Sequence, residues 1–233
     1  TTSSGCTAVF GFFMGTGTSC GDVICGAPND NCANRTILPF DPNVTVPFEN
    51  HCATTDGPST INCSGSNQPI GADLWYEYMA PCTGRVRASL CGATHYDSIL
   101  AVYGGTSSVC NCPQIFSAPL TCGDDTCGIG GGPSQVTFSA TADRCYLIRV
   151  AGWNGSTGNG VLQISYDTSC EPPPGDCDGD YRVDAYDVAH FQNCYTGANG
   201  GPIPPHCTCV DLDGDGDVDP NDWRLFVQAV TGP

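Results

Sequence analysis

The sequence contains no lysine, and its bases are seven arginines against 24 acids in 233 residues. A net charge of −17 removes a class of partners at once. Phosphate backbones and anionic lipid surfaces are held by basic faces, so nucleic acid is excluded as a ligand. Long apolar runs are missing too, and no stretch reaches the roughly 20 residues that a bilayer-spanning helix needs, which excludes membrane insertion. No helical periodicity of useful length appears before Asp184. There is no GxSxG elbow, no HExxH helix and no phosphate-cradling loop. The four histidines, His51, His95, His190 and His206, are scattered. The chain therefore reads as a protein without catalytic residues.

Cysteine, by contrast, is abundant: 18 residues run from Cys6 to Cys209. That even, dense count points to a disulfide framework formed in an oxidising compartment, and so to a secreted, extracellular protein. Structural zinc would need tight pairs with a second half at the right spacing. Cys110-Asn-Cys112 and His206-Cys-Thr-Cys209 have none. Connectivity is not encoded in spacing; short closures such as Cys82 with Cys91, Cys122 with Cys127 and Cys194 with Cys207 are the local expectation. No basic segment precedes the apolar run Ala8 to Met14, so that run does not read as a signal peptide and the chain reads as a mature secreted product.

Acidic residues are concentrated at the C-terminal end. From Glu171 onward there are 12 acids and two arginines. They fall into two rows: Asp176, Asp178, Asp180, Asp184 and Asp187, then Asp211, Asp213, Asp215, Asp217, Asp219 and Asp222. Counting from Asp176 or Asp211, carboxylates stand at positions 1, 3, 5, 9 and 12. Position 7, Arg182 or Asp217, offers its backbone carbonyl, and position 8 is an apolar Val183 or Val218. A twelve-residue loop with this alternation presents the six to eight oxygens that Ca²⁺ takes, so two calcium ions are expected. Solvated acidic loops are the alternative, but so many close carboxylates repel one another without a cation.

Each row is followed by a short helical pattern, Tyr186 to Cys194 and Asn221 to Val230. Two calcium loops with one helix each, and Asp at position 12, resemble the type I dockerin repeat. The extra cysteines and the Gly197 to Pro205 stretch resemble its planctomycete-like variant. The resemblance implies a small calcium-folded, EF-hand-like helical domain and a cohesin-like protein partner. Two departures stand out. Tyr181 occupies position 6, where Gly usually makes the turn, and Ala185-Tyr186 and Pro220-Asn221 replace the small hydroxyl residues at positions 10 and 11.

Residues 30 to 168 read as all-β, with short alternating runs at Thr36 to Phe48, Asp73 to Tyr78, Arg85 to Cys91, Ser98 to Tyr103, Gln135 to Ser139, Cys145 to Val150 and Val161 to Tyr166. The segments Leu74 to Gly84, Tyr96 to Tyr103, Cys122 to Asp125 and Tyr146 to Gly152 resemble the pre-peptidase C-terminal type of jelly-roll-like β-sandwich, which implies a non-catalytic accessory module. The expected organisation is an apolar arm (1–28), a sandwich (29–168), a Pro-rich linker (169–175) and the dockerin-like domain (176–233). The arm carries Val9, Phe10, Phe12, Phe13 and Met14, either as an extra strand of its own sandwich or as a strand given to a neighbouring copy.

Four sequons, Asn34, Asn43, Asn62 and Asn154, are candidate glycosylation sites. Asp97, Asp124 and Asp125 read as turn caps, with a third cation site as the alternative. Trp75, Trp153 and Tyr76 read as core, with a sugar-stacking platform as the alternative. The leading expectation is a structural subunit that self-assembles into an extracellular homo-polymer, a filament or matrix fibre. The alternative is an accessory module that binds polysaccharide or a cohesin-like protein.

Overall fold

The computed structural model of the protein describes residues 27–63, 65–114, 117–128 and 130–230. The arm residues Val9, Phe10, Phe12, Phe13 and Met14 lie outside the described residues. The chain divides into two compact units between Thr168 and Ser169.

The first unit is a β-sandwich. Among the described residues its ten strands are β1 (Thr36–Ile37), β2 (Val44–Glu49), β3 (Thr60–Cys63), β4 (Ser66–Met79), β5 (Gly84–Ser89), β6 (Ser98–Gly104), β7 (Thr121–Asp124), β8 (Gln135–Ala140), β9 (Cys145–Trp153) and β10 (Asn159–Tyr166). One sheet runs β1-β4-β9-β6-β7 with β3 paired to β4, and the other runs β2-β10-β5-β8. Only β1 pairs in parallel; all other described pairings are antiparallel.

Between the sheets lies a core that includes Val44, Phe48, Leu74, Tyr78, Val86, Leu100, Phe138, Ile148 and Leu162. β8 and β10 alternate buried and exposed residues, as strands wetted on one face do. β4, β6 and β9 do not alternate, because their sheet is covered on both faces. A second core, with Ile61, Ile70, Trp75, Ile99, Tyr103 and Leu147, sits on the outer face. Disulfides Cys32–Cys112, Cys63–Cys122 and Cys110–Cys145 staple the covering segments over it, and Cys91–Cys127 closes another turn.

Two local closures expected from the sequence are corrected here. Cys91 bonds Cys127 rather than Cys82, and Cys122 bonds Cys63 rather than Cys127. Strand pairing brings distant cysteines closer than chain neighbours: β7 places Cys122 with its Cα 5.5 Å from that of Cys63 at the end of β3. Cys194–Cys207 forms as expected. Every described cysteine is disulfide-bonded.

The second unit holds two short helices, α1 (Ala185–Cys194) and α2 (Pro220–Ala229). Both begin with a capping box, Asp184 with Asp187 and Asp219 with Asp222. The side chain at Ncap bonds a backbone N–H of the first turn, while the carboxylate at N3 bonds back to the Ncap N–H. Val183, Phe191, Val210, Val218 and Phe226 form a small core, cross-linked by Cys177–Cys209 and Cys194–Cys207.

Candidate functional site

The two acidic loops adopt one backbone plan. Asp176 accepts from the N–H groups of Gly179 (2.7 Å) and Tyr181 (2.8 Å), and Asp211 accepts from those of Gly214 (2.9 Å) and Gly216 (3.2 Å). Asp178 accepts from Asp180 N–H and Asp213 from Asp215 N–H. Asp180 accepts from Arg182 N–H and Asp215 from Asp217 N–H. Asp187 and Asp222 are buried and close each loop: they accept from Cys177 and Asp184, and from Leu212 and Asp219. Each of these carboxylates thus accepts from at least one backbone donor.

Oxygens of Asp176, Asp178 and Asp180 lie within 4.8 Å of one another. Two ligands held about 2.4 Å from one cation are at most about 5 Å apart, so this spacing suits Ca²⁺. Burial, then the charges of Asp178, Asp184 and Asp187, push Asp180 above its ordinary value against the pull of the Arg182 N–H. The set contains only hard oxygen donors, which fits calcium rather than zinc. The cluster of Cys177, His190 and Cys209 offers no thiolate, since its sulfurs are locked in a disulfide.

The second loop is tied to the segment that follows α1. Val218 donates its N–H to Thr196 Oγ1 (2.9 Å), and its carbonyl accepts from Thr196 (3.0 Å) and Gly197 (3.1 Å). Asp217 is 5% exposed; it accepts from Asn199 N–H, and its Oδ1 has no partner among the described residues. The turn at position 6 is left-handed in both loops, at Tyr181 (φ 67°) and Gly216 (φ 89°).

On the sandwich, a cleft of about 290 Å³ opens where Ala27 to Asn29 pass β2 and β4. Its floor is Val46, Phe48, Leu74 and Tyr76 with buried Asn29 beside them, and its rim carries Thr36, Glu49 and His51. Glu49 Oε1 lies 2.9 Å from His51 Nδ1, both side chains open to solvent. Burial pushes the Tyr76 phenol up to about 12, so it stays a hydrogen-bond donor. An apolar floor with a few convergent polar groups is the usual make-up of a small-ligand site. Sequence reasoning did not single out Asn29, Thr36 or Glu49. They come from separate segments, and only the topology brings them together.

Trp75 and Tyr76 are buried, whereas Trp153 is half-exposed and donates from Nε1 to Gln68. The three do not form one platform. Asp97, Asp124 and Asp125 do converge; Asp125 caps the Gly132 N–H, and burial followed by the Asp125 charge raises both other carboxyls. All four sequon asparagines are exposed.

Residues 28–128 match the family described as galactose binding domain-like, a span that includes the cleft and most of the sandwich. Comparison with curated proteins finds no match. Similar solved structures include the pre-peptidase C-terminal domain of a collagenase from Bacillus anthracis, with 11% identity, a TM-score of 0.31 and coverage of 56% of this chain and 94% of that one. PliG, a periplasmic inhibitor of g-type lysozyme from Aeromonas hydrophila, gives 13%, 0.31, 56% and 95%. The K3 cleaved adhesin domain of Lys-gingipain from Porphyromonas gingivalis W83 gives 19%, 0.26, 52% and 70%. Among the described residues no helix is long and apolar enough to cross a membrane.

Proposed function

We propose that this chain is a non-catalytic, secreted accessory module that binds carbohydrate through its sandwich and carries a calcium-folded, dockerin-like C-terminal unit. The observation that carries the reading is the galactose binding domain-like match over residues 28–128, which covers the sandwich cleft. The cleft chemistry supports it. A sugar presents an apolar C–H face and an edge of hydroxyls; the apolar floor suits the first, and Glu49 and His51 at the rim suit the second. The sequence alone favoured a filament subunit joined through its N-terminal strand, the calcium module or both, but the family match favours the accessory module.

The calcium ions would be held by Asp176, Asp178, Asp180, Asp184 and Asp187, and by Asp211, Asp213, Asp215, Asp219 and Asp222, with the Arg182 and Asp217 carbonyls. Bound calcium supplies charge neutralisation and folding energy, not chemistry.

Calorimetric titration of the calcium-loaded chain with galactose and short galacto-oligosaccharides tests the reading. Saturable heat that weakens in Glu49→Gln and in His51→Ala is expected. No heat with any neutral sugar, or heat untouched by both substitutions, would falsify the assignment of this cleft.

A further inference from the structure

A second ligand surface lies on the C-terminal unit, in a cleft of about 460 Å³ between the end of α1 and the start of α2. Its lining is Phe191, Gln192, Tyr195, Pro220 and Trp223. Trp223 is 40% exposed and Tyr195 is 52% exposed, large values for aromatic residues in a unit with so small a core. The indole is nevertheless not free to turn. It stacks on buried Phe226 at 12° between planes and 5.6 Å between centroids, and Phe191 meets it edge-on at 5.1 Å. One indole face is thereby fixed outward.

We infer that this cleft is a stacking site for a pyranose ring of a neutral glycan. Three observations choose that occupant. First, no lining residue is Asp, Glu, His, Lys or Arg, although the chain from Glu171 onward holds 12 acids and two arginines. An anionic sugar or peptide is repelled by that field, and a cationic one finds its counter-charges in the loops rather than here. Second, the lining is amphipathic in the way a sugar is. The preorganised indole offers a π-face to the axial C–H groups, while the Gln192 amide and the Tyr195 hydroxyl stand at the edge for ring hydroxyls. Third, a cleft of about 460 Å³ lies in the size range of small-ligand sites and suits one or two sugar units.

The inference shares its ligand class with the proposed function but not its site, so the two are separated by variants. The full-length, calcium-loaded chain is titrated with short β-1,4-linked gluco- and galacto-oligosaccharides, followed by calorimetry and tryptophan emission. Trp223→Ala is expected to weaken binding about tenfold and to remove the emission change. Tyr195→Ala and Gln192→Ala, both exposed and outside the small core, guard against loss of fold and are expected to weaken binding by a smaller factor. Glu49→Gln in the sandwich cleft is expected to leave this emission change intact. Binding that survives all three C-terminal substitutions but is lost on Glu49→Gln overturns the inference and leaves the sandwich site standing. Binding by neither site overturns both. Sedimentation showing a dimer that Trp223→Ala dissociates assigns the cleft to a second copy and overturns the sugar.

Discussion

Arg149 and Asp73 face each other with no solvent exposure on either side chain. Nε and Nη2 of Arg149 contact one Asp73 oxygen, Nη1 donates to Pro58 O (2.7 Å), and the guanidinium lies 5.0 Å from the Trp75 ring centroid. The other Asp73 oxygen accepts from Asp56 N–H at 2.9 Å. This pair ties β4, β9 and the covering segment into one unit beneath the outer core. Removing the Arg149 charge strands a buried carboxylate, so Arg149→Met is expected to destabilise by about 3–5 kcal/mol at neutral pH, and Asp73→Asn, which resembles the neutral carboxyl that burial favours, by less. The double variant should lose less than the sum, because the second change relieves the first. Denaturant unfolding of the disulfide-intact chain measures all three; additive losses would show the groups to be independent. The pH dependence has a definite sign. Burial pushes Asp73 up to about 6 from 3.8, outweighing the attraction of Arg149. The native state then holds a proton that the unfolded chain releases. The contribution is full below pH 3.8 and is lost as pH rises through about 6. Stability relative to Asp73→Asn should fall across that window, and a difference constant from pH 4 to pH 7 would contradict it.

The aspartate loops pose the element-scale question, since one plan is built with two different residues at its turn. Tyr181 holds a left-handed backbone that costs a residue with a Cβ about 1–2 kcal/mol, whereas Gly216 holds it freely. Tyr181→Gly is expected to tighten calcium at the first loop by about fivefold, with part of the gain offset by greater freedom of the unfolded chain. Gly216→Ala should weaken the second loop by a similar factor. Two-site calorimetric titration resolves these changes; an unchanged first site in Tyr181→Gly would mean that the turn is not what limits it. These loops and helices were legible in the sequence because their ligand spacing is local: α1 and α2 start within a residue of where the aspartate rows placed them. β8 and β10 were legible for the same reason, through alternation. β4 was read only as Asp73 to Tyr78, because burial on both faces erases alternation and a bulge near Ala72 breaks its register. β3 and β7 went unread, being four residues each and rich in Cys, Gly, Asn and Asp. The sandwich cleft was hidden because Asn29, Glu49 and Tyr76 meet only after the sheets form.

At the scale of the whole chain, the two units are stabilised by different means. The sandwich has two cores and disulfides spanning 80, 59, 36 and 35 residues, and such long closures each remove about 3–5 kcal/mol of unfolded-state entropy in the loop model. The C-terminal unit has a seven-residue buried core and shorter cross-links of 32 and 13 residues. It also crowds most of its acids into two loops, so its folded form is self-repelling without the proposed cations. A ligand that binds only the folded form stabilises it by about 2.7 kcal/mol per site at a hundredfold excess over Kd, a large share of what so small a unit can have. Chelating calcium is therefore expected to melt α1 and α2 while the sandwich persists; reducing the disulfides in the presence of calcium should lower the sandwich transition further than chelation does. The two are distinguishable in one sample. The α-helical far-UV signal belongs to α1 and α2 among the described residues, and the near-UV signal of buried Trp75 belongs to the sandwich. Calorimetry of the full chain should show two transitions, of which only the one accompanied by helix loss moves with chelator. A single transition that moves as a whole would mean that the units fold as one. A helical signal indifferent to chelator would mean that the aspartate loops close without a metal, and the calcium assignment would fall with it.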